Sequence, residues 1–192
     1  MAIYNRIYSK EKWDLVCKYN KNLMDDFLLE LKSQKKSQGT INQYKNDLRI
    51  LFIYIHDELD NKEIYKLKKK HFRNYMLWLQ EKDMSNARIN RLMSALRSML
   101  TYASDEEDYE DELEINYAQK VKGLQKEKVR EIIFLTDEEV TYIYKRLIEE
   151  KKYQQALLCA LMYDSAGRRN ECYQVSKDFG ELDANFTNVV VG

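Results

Sequence analysis

Arg88, Arg91, Ser94 and Ser98 recur at the three- and four-residue spacing of one helix face, with Asn90, Arg97 and Thr101 beside them. No acid occurs between Met84 and Ser104. Exposed helix faces ordinarily mix signs, because opposite charges one turn apart are mildly stabilising, so a long acid-free face points to an anionic ligand. Duplex DNA is the leading candidate. A second set lies upstream, where Lys35-Lys36-Ser37-Gln38-Gly39-Thr40 leads into Gln43, Lys45, Asn46 and Arg49. A helix N-terminus behind such a cationic approach can donate backbone amides to a phosphate. Short amides and hydroxyls among cations suit phosphate positioning together with groove contacts. The residues singled out for DNA are Lys36, Ser37, Thr40, Gln43, Lys45, Arg88, Asn90, Arg91, Ser94 and Arg97. An ordinary solvated face has the same composition, and residue types alone leave the two readings open.

Other reactive residue types carry less. Lys68-Lys69-Lys70-His71 with Arg73 is a further basic cluster, and such runs are commonly solvated surface. His56 and His71 have no ligand spacing and no nucleophile nearby, so structural or surface roles are expected for both. Cys17, Cys159 and Cys172 form no CxxC and no Cys/His cluster, which argues against a disulfide framework and a zinc site, and they read as reduced core residues. No metal and no cofactor is expected.

The elements that must position these residues follow from composition and periodicity. The chain has 192 residues, 44% of them hydrophobic, with no proline and only 5 glycines. That composition supports a real core and long helices over a turn-rich β fold. No stretch resembles a membrane span or a signal peptide, so a cytoplasmic chain without membrane or small-molecule partners is expected. The net charge of zero conceals a polarity, since residues 1–100 hold 20 basic against 12 acidic side chains and the remainder 12 against 20. Most of the later excess is in Asp105–Glu114, DEEDYEDELE, with eight acids in ten residues. Such a run reads as a solvated linker.

Four amphipathic helices fill residues 20–104. The first carries Leu23, Phe27, Leu28 and Leu31. The second opens at Gly39-Thr40, with Thr40 as N-cap, and carries Ile41, Tyr44, Leu48, Leu51, Phe52, Ile55 and Leu59. Phe72, Tyr75, Met76 and Leu79 mark a third. Ser85 caps a fourth, whose stripe is Ile89, Leu92, Met93, Leu96, Met99, Leu100 and Ala103. Together they suffice for one small bundle. Thr136-Asp137-Glu138-Glu139 is a capping box that starts a helix at Asp137, another helix runs through Ala156–Leu161 to Ala166-Gly167, and a short turn covers Asn170–Val175. Phe186–Gly192 reads as a β-strand without a partner, so the second unit is expected to stop in the middle of a sheet. The expected division is an N-terminal extension at 1–19, the bundle at 20–104, the acidic run and an extended linker at 105–131, and a second, incomplete unit at 132–192.

Tyr163-Asp164-Ser165-Ala166-Gly167-Arg168-Arg169-Asn170-Glu171 is the most specific local pattern. It resembles the tyrosine recombinases, or phage integrases, in which a helix ends in a small-residue turn that presents an arginine followed three positions later by an acid. Phe134-Leu135-Thr136-Asp137-Glu138-Glu139-Val140 is similar to that family's entrance to its catalytic domain. Thr40–Arg49 and Arg88–Met99 resemble the two long helices of its core-binding domain. The resemblance covers roughly residues 20–192 and implies a mainly α chain: a four-helix, SAM-like core-binding bundle followed by a truncated, mostly helical part of a catalytic domain with a terminal strand.

The same resemblance implies double-stranded DNA as partner, other recombinase protomers assembled on it, and a role in DNA recombination and integration by a C-shaped clamp. Family members cut one strand with a tyrosine, without a metal. Arg168 would then neutralise the non-bridging phosphate oxygens as charge develops, with Glu171 orienting it. The family's lysine, His-x-x-Arg motif, later His or Trp and nucleophilic tyrosine have no counterparts among these residues, and Asn116-Tyr117-Ala118 stands where the family often has Asn-Pro-Ala. Strand cleavage by these 192 residues alone is therefore not expected. The alternative from another class is a non-enzymatic helical interaction or regulatory module that assembles with an intact recombinase.

Overall fold

Serine hydroxyls start the two longest helices among the described residues. The computed structural model describes residues 7–125, 127 and 133–175, and every regular element among them is helical. The strand expected at Phe186–Gly192 lies outside the described residues. The chain divides into two compact units, Met1–Val129 and Arg130–Gly192.

The first unit contains α1 (Lys10–Leu15), α2 (Lys18–Ser33), α3 (Gln38–Glu58), a 3₁₀ turn (Ile64–Lys66), α4 (Lys69–Glu81) and α5 (Asn86–Asp105). The Ser85 hydroxyl accepts from the Arg88 amide at 3.3 Å, as its position before the stripe requires. For α3 the cap is Ser37 rather than Thr40. The Ser37 hydroxyl accepts from the Thr40 amide at 3.2 Å, and Thr40 sits in the first turn with its hydroxyl 2.9 Å away. Either residue type can cap, and the serine three positions earlier gains the helix an additional turn of backbone bonds.

The four stripes converge on one core. Leu23, Phe27, Leu51, Phe52, Ile55, Phe72, Tyr75, Leu79, Ile89, Met93, Leu96 and Met99 are all essentially inaccessible. Helix α3 packs on α2 and α5, and α4 packs on α5. Its middle, Ile50 to Ile55, is buried at every consecutive position. A helix apolar all round needs cover on every side. Part of the cover comes from α1, which packs against α3 with Val16, just past its end, in the core, and part from α4, whose Tyr75 and Trp78 rings lie 5.0 and 5.1 Å from that of Tyr54. Residues 10–17 are thereby tied to α3 and to the turn that follows it. The Cys17 backbone amide donates to Asn61 Oδ1 at 2.9 Å, Asn61 Nδ2 donates to the Leu15 carbonyl at 2.8 Å, and Lys12 pairs with Asp57.

The segment after α5 also departs from the sequence expectation. Tyr109, Leu113, Ala118 and Val121 are buried in the same core, while the acids around them face solvent. The Tyr109 hydroxyl donates to the Asp26 carboxylate on α2. Tyr109 and Leu113, four apart, interrupt the acidic run with one apolar edge, and the hydrophobic gain of docking that edge outweighs the run's preference for water.

The second unit contains α6 (Asp137–Glu149), α7 (Tyr153–Ser165) and α8 (Arg169–Cys172). Thr136 and Glu139 form the expected reciprocal cap, with the Thr136 amide donating to the Glu139 carboxylate at 2.8 Å and the Glu139 amide to the Thr136 hydroxyl at 3.3 Å. α6 packs on α7, and α7 on α8. Of the three cysteines only Cys172 is buried, with Cys17 and Cys159 half-buried. No helix among the described residues is long and apolar enough to cross a membrane.

Candidate nucleic-acid interface

The acid-free face of α5 meets an acid from another helix. Asp47 of α3 is buried, with 2% of its side chain exposed, and its Oδ1 lies 2.7 Å from Arg88 Nη1. Its Oδ2 lies 3.2 Å from Arg91 Nε, and Arg91 Nη2 is 3.5 Å from Oδ1. Gln43, one turn earlier on α3, donates its Nε2 to Oδ1 at 3.0 Å. Three of the residues selected from the sequence therefore converge on one carboxylate that was not selected. Burial pushes the Asp47 carboxyl above the ordinary carboxylate range, and Arg88 and Gln43 pull it back only in part. A signal existed, since Asp47 is the lone acid between Lys32 and His56 and sits beside the apolar stripe of α3.

The cluster leaves its members unequally accessible. Arg88 keeps 23% of its side chain exposed, Arg91 keeps 50%, and Gln43 is exposed. Lys36, Ser37 and Ser94 are exposed as well, and Lys45 and Thr40 are half-buried. Lys36, Ser94 and Arg97 line one groove between the end of α2 and α5, and Glu30, Asp105 and Glu106 line it too.

Two expected DNA contacts are committed to the protein itself. Asn90 Nδ2 donates to the Leu124 carbonyl at 2.8 Å, and the Leu124 amide donates to Asn90 Oδ1 at 2.9 Å. Arg97 donates through Nε to the Ala118 carbonyl at 3.2 Å and through Nη2 to the Val121 carbonyl at 2.9 Å. Polar positions on α5 face a docked segment that helical periodicity does not reveal, and these side chains satisfy its backbone. The close approach explains Gly123, where a Cβ would stand 2.9 Å from Asn90 Oδ1.

At the start of α4, His71 Nδ1 accepts from the Lys68 amide at 2.8 Å, the place an acid holds in a capping box. Burial first, then Lys70 and Lys62, hold its pKa below the usual histidine value. This is the structural role expected of it.

Arg168 stands at the end of the turn after α7. Ala166 takes the left-handed conformation there, φ 50° and ψ 24°, a position usually given to glycine at a helix end. The Arg168 amide donates to Glu171 Oε2 at 2.8 Å and its Nη1 to Oε1 at 2.9 Å, so one carboxylate holds both the backbone and the guanidinium. The amide and guanidinium together hold the Glu171 carboxyl below its usual range. Three quarters of the Arg168 side chain, 76%, stays exposed. That arrangement can present N–H groups to an oxyanion. No group of three metal-ligating side chains occurs among the described residues.

Residues 24–107 match the family described as the phage integrase N-terminal SAM-like domain. The match takes in most of α2 and all of α3, α4 and α5. No curated protein and no solved structure matches the chain.

Proposed function

We propose that this chain, whose residues 24–107 match the phage integrase N-terminal SAM-like domain, belongs to the tyrosine recombinase family and binds double-stranded DNA in site-specific recombination and integration. The observation that carries the reading is the coincidence of that domain with an exposed polar edge on α3 and α5. Lys36, Ser37, Thr40, Gln43, Lys45, Arg91 and Ser94 supply the contacts, with Arg88, Asn90 and Arg97 in support. Phosphates take the cations and the helix N-termini, and bases take the amides and Arg91.

In the second unit, Arg168 contacts the scissile phosphate and Glu171 fixes its orientation. A guanidinium locked by a carboxylate needs no reorganisation as charge develops on the phosphate, which is what makes preorganised donors effective. Assembly with other recombinase protomers is the second reading. It draws on the side chains of Ile133 and Phe134, 87% and 82% exposed, on a unit that buries little of its apolar surface among the described residues.

A salt titration of the full chain on labelled duplexes tests the first reading. Two phosphates engaged by Lys36 and Lys45 would give log K against log salt a slope of about −1.8, and Arg91→Glu would weaken binding to every sequence. A flat response would remove DNA as the partner and leave the protein-assembly reading.

A further inference from the structure

Phosphate contacts position a protein on DNA but carry no sequence information, and exposed arginines are readily drawn to phosphates. On this surface a buried carboxylate competes for them. Arg88 is mostly covered and faces Asp47 Oδ1 at 2.7 Å, while Arg91 spans both carboxylate oxygens from Nε and Nη2. A guanidinium has five N–H groups, so Arg91 keeps three for an outside acceptor while its plane is fixed. Gln43 is constrained more sharply. An ionised carboxylate only accepts, so Gln43 must turn its NH₂ toward Asp47, which leaves its carbonyl and one N–H for an incoming group.

We propose that Asp47 is a positioning residue for base readout, which withholds Arg88 from phosphates and fixes Gln43 and Arg91 so that their remaining donors and acceptor meet purine edges in the major groove. The inference rests on the DNA-binding reading above. An acceptor beside a donor on Gln43 matches the N6/N7 edge of adenine, and the fixed guanidinium of Arg91 matches the O6/N7 edge of guanine. Neutralising one of the two arginines locally also lowers the sequence-independent part of the affinity, so a larger share of binding depends on the bases.

The test uses the full chain and fluorescent duplexes with a randomised central segment, from which a preferred sequence is selected and compared with the unselected pool over a range of salt. Asp47→Asn has nearly the same shape but no charge, and its own amide lets Gln43 rotate. The expected result is about a tenfold fall in the preference for the selected duplex, the loss of roughly one bidentate base contact. The salt slope should steepen by about 0.9 as Arg88 becomes free to reach a phosphate. Equal weakening on both duplexes with an unchanged or shallower slope would overturn the proposal, because a purely structural Asp47 predicts that outcome. If Asp47→Asn does not fold, as read by the emission of Trp13 and Trp78, Arg88→Met decides the matter. That variant should leave the slope unchanged, and a slope shallower by about 0.9 would place Arg88 on a phosphate and overturn the proposal. A wild-type chain that binds no duplex would remove the DNA reading itself, whereas wild-type binding with sequence preference intact in Asp47→Asn would remove only this inference.

Discussion

Asn90 and Gly123 form a lock whose energetics are separable by a double-mutant cycle. Asn90 spans the Leu124 amide and carbonyl at 2.9 and 2.8 Å, and a Cβ at position 123 would meet its Oδ1 at 2.9 Å. Asn90→Ala removes two partly buried hydrogen bonds, at about 0.5–1.5 kcal/mol each, so a loss of about 1–3 kcal/mol is expected. Gly123→Ala drives a methyl group into the amide and should cost about 1–3 kcal/mol through overpacking. Gly123 is not at positive φ, so the backbone itself tolerates alanine. With Asn90 already shortened to alanine the obstacle is gone, and the second substitution should cost almost nothing or stabilise by about 0.4–1 kcal/mol through the unfolded chain. The two changes should therefore couple by about 1–3 kcal/mol, with the double variant more stable than the sum predicts. Urea unfolding of the full chain reports this cleanly, because Trp13 and Trp78 are its only tryptophans and both belong to the first unit. Additivity within about 0.5 kcal/mol would refute the reasoning, since it would mean that Asn90 and Gly123 do not touch. Slowed exchange of the Leu124 amide in the wild type, lost in Asn90→Ala, is the matching local signature.

Asn20 is buried on α2, donating Nδ2 to the Lys62 carbonyl at 3.0 Å and accepting from the Ile64 amide at 2.9 Å. Asn20→Ala leaves both backbone groups without a partner and should cost about 2–5 kcal/mol in the same urea assay. Because the His71 pKa is lowered on folding, the folded chain binds fewer protons there than the unfolded chain just below the usual histidine value, so stability is full above it and falls as pH drops through the folded pKa. His71→Gln keeps an acceptor for the Lys68 amide, and thermal melts at pH 7.5 and pH 5 should differ less for it than for the wild type. Arg168→Ala should leave the thermal unfolding midpoint essentially unchanged, because three quarters of the Arg168 side chain is already in solvent and exposed ion pairs contribute little. A clear drop would assign the pair to stability rather than to presenting a guanidinium.

Much of the architecture is local and was readable from order alone. The stripes of α2 to α5 record which side of each helix faces apolar neighbours, and the Ser85 and Thr136 caps depend on residues within one turn. The Ser165-Ala166-Gly167 turn and the Arg168–Glu171 pair are likewise short-range, three residues apart at most. Tertiary structure decided what lies across each polar edge. Asp47 meets Arg88 and Arg91 across more than forty residues of chain, and Asn90 and Arg97 turn toward a segment that composition assigned to solvent. Periodicity identifies the face of a helix, but a hydrogen bond or ion pair depends on which backbone or side chain arrives opposite it. That arrival is set by the packing of the whole core, through the burial of Ile50 to Ile55 under α1 and α4 and of Tyr109 and Leu113 beside α2 and α5, and no single segment encodes it.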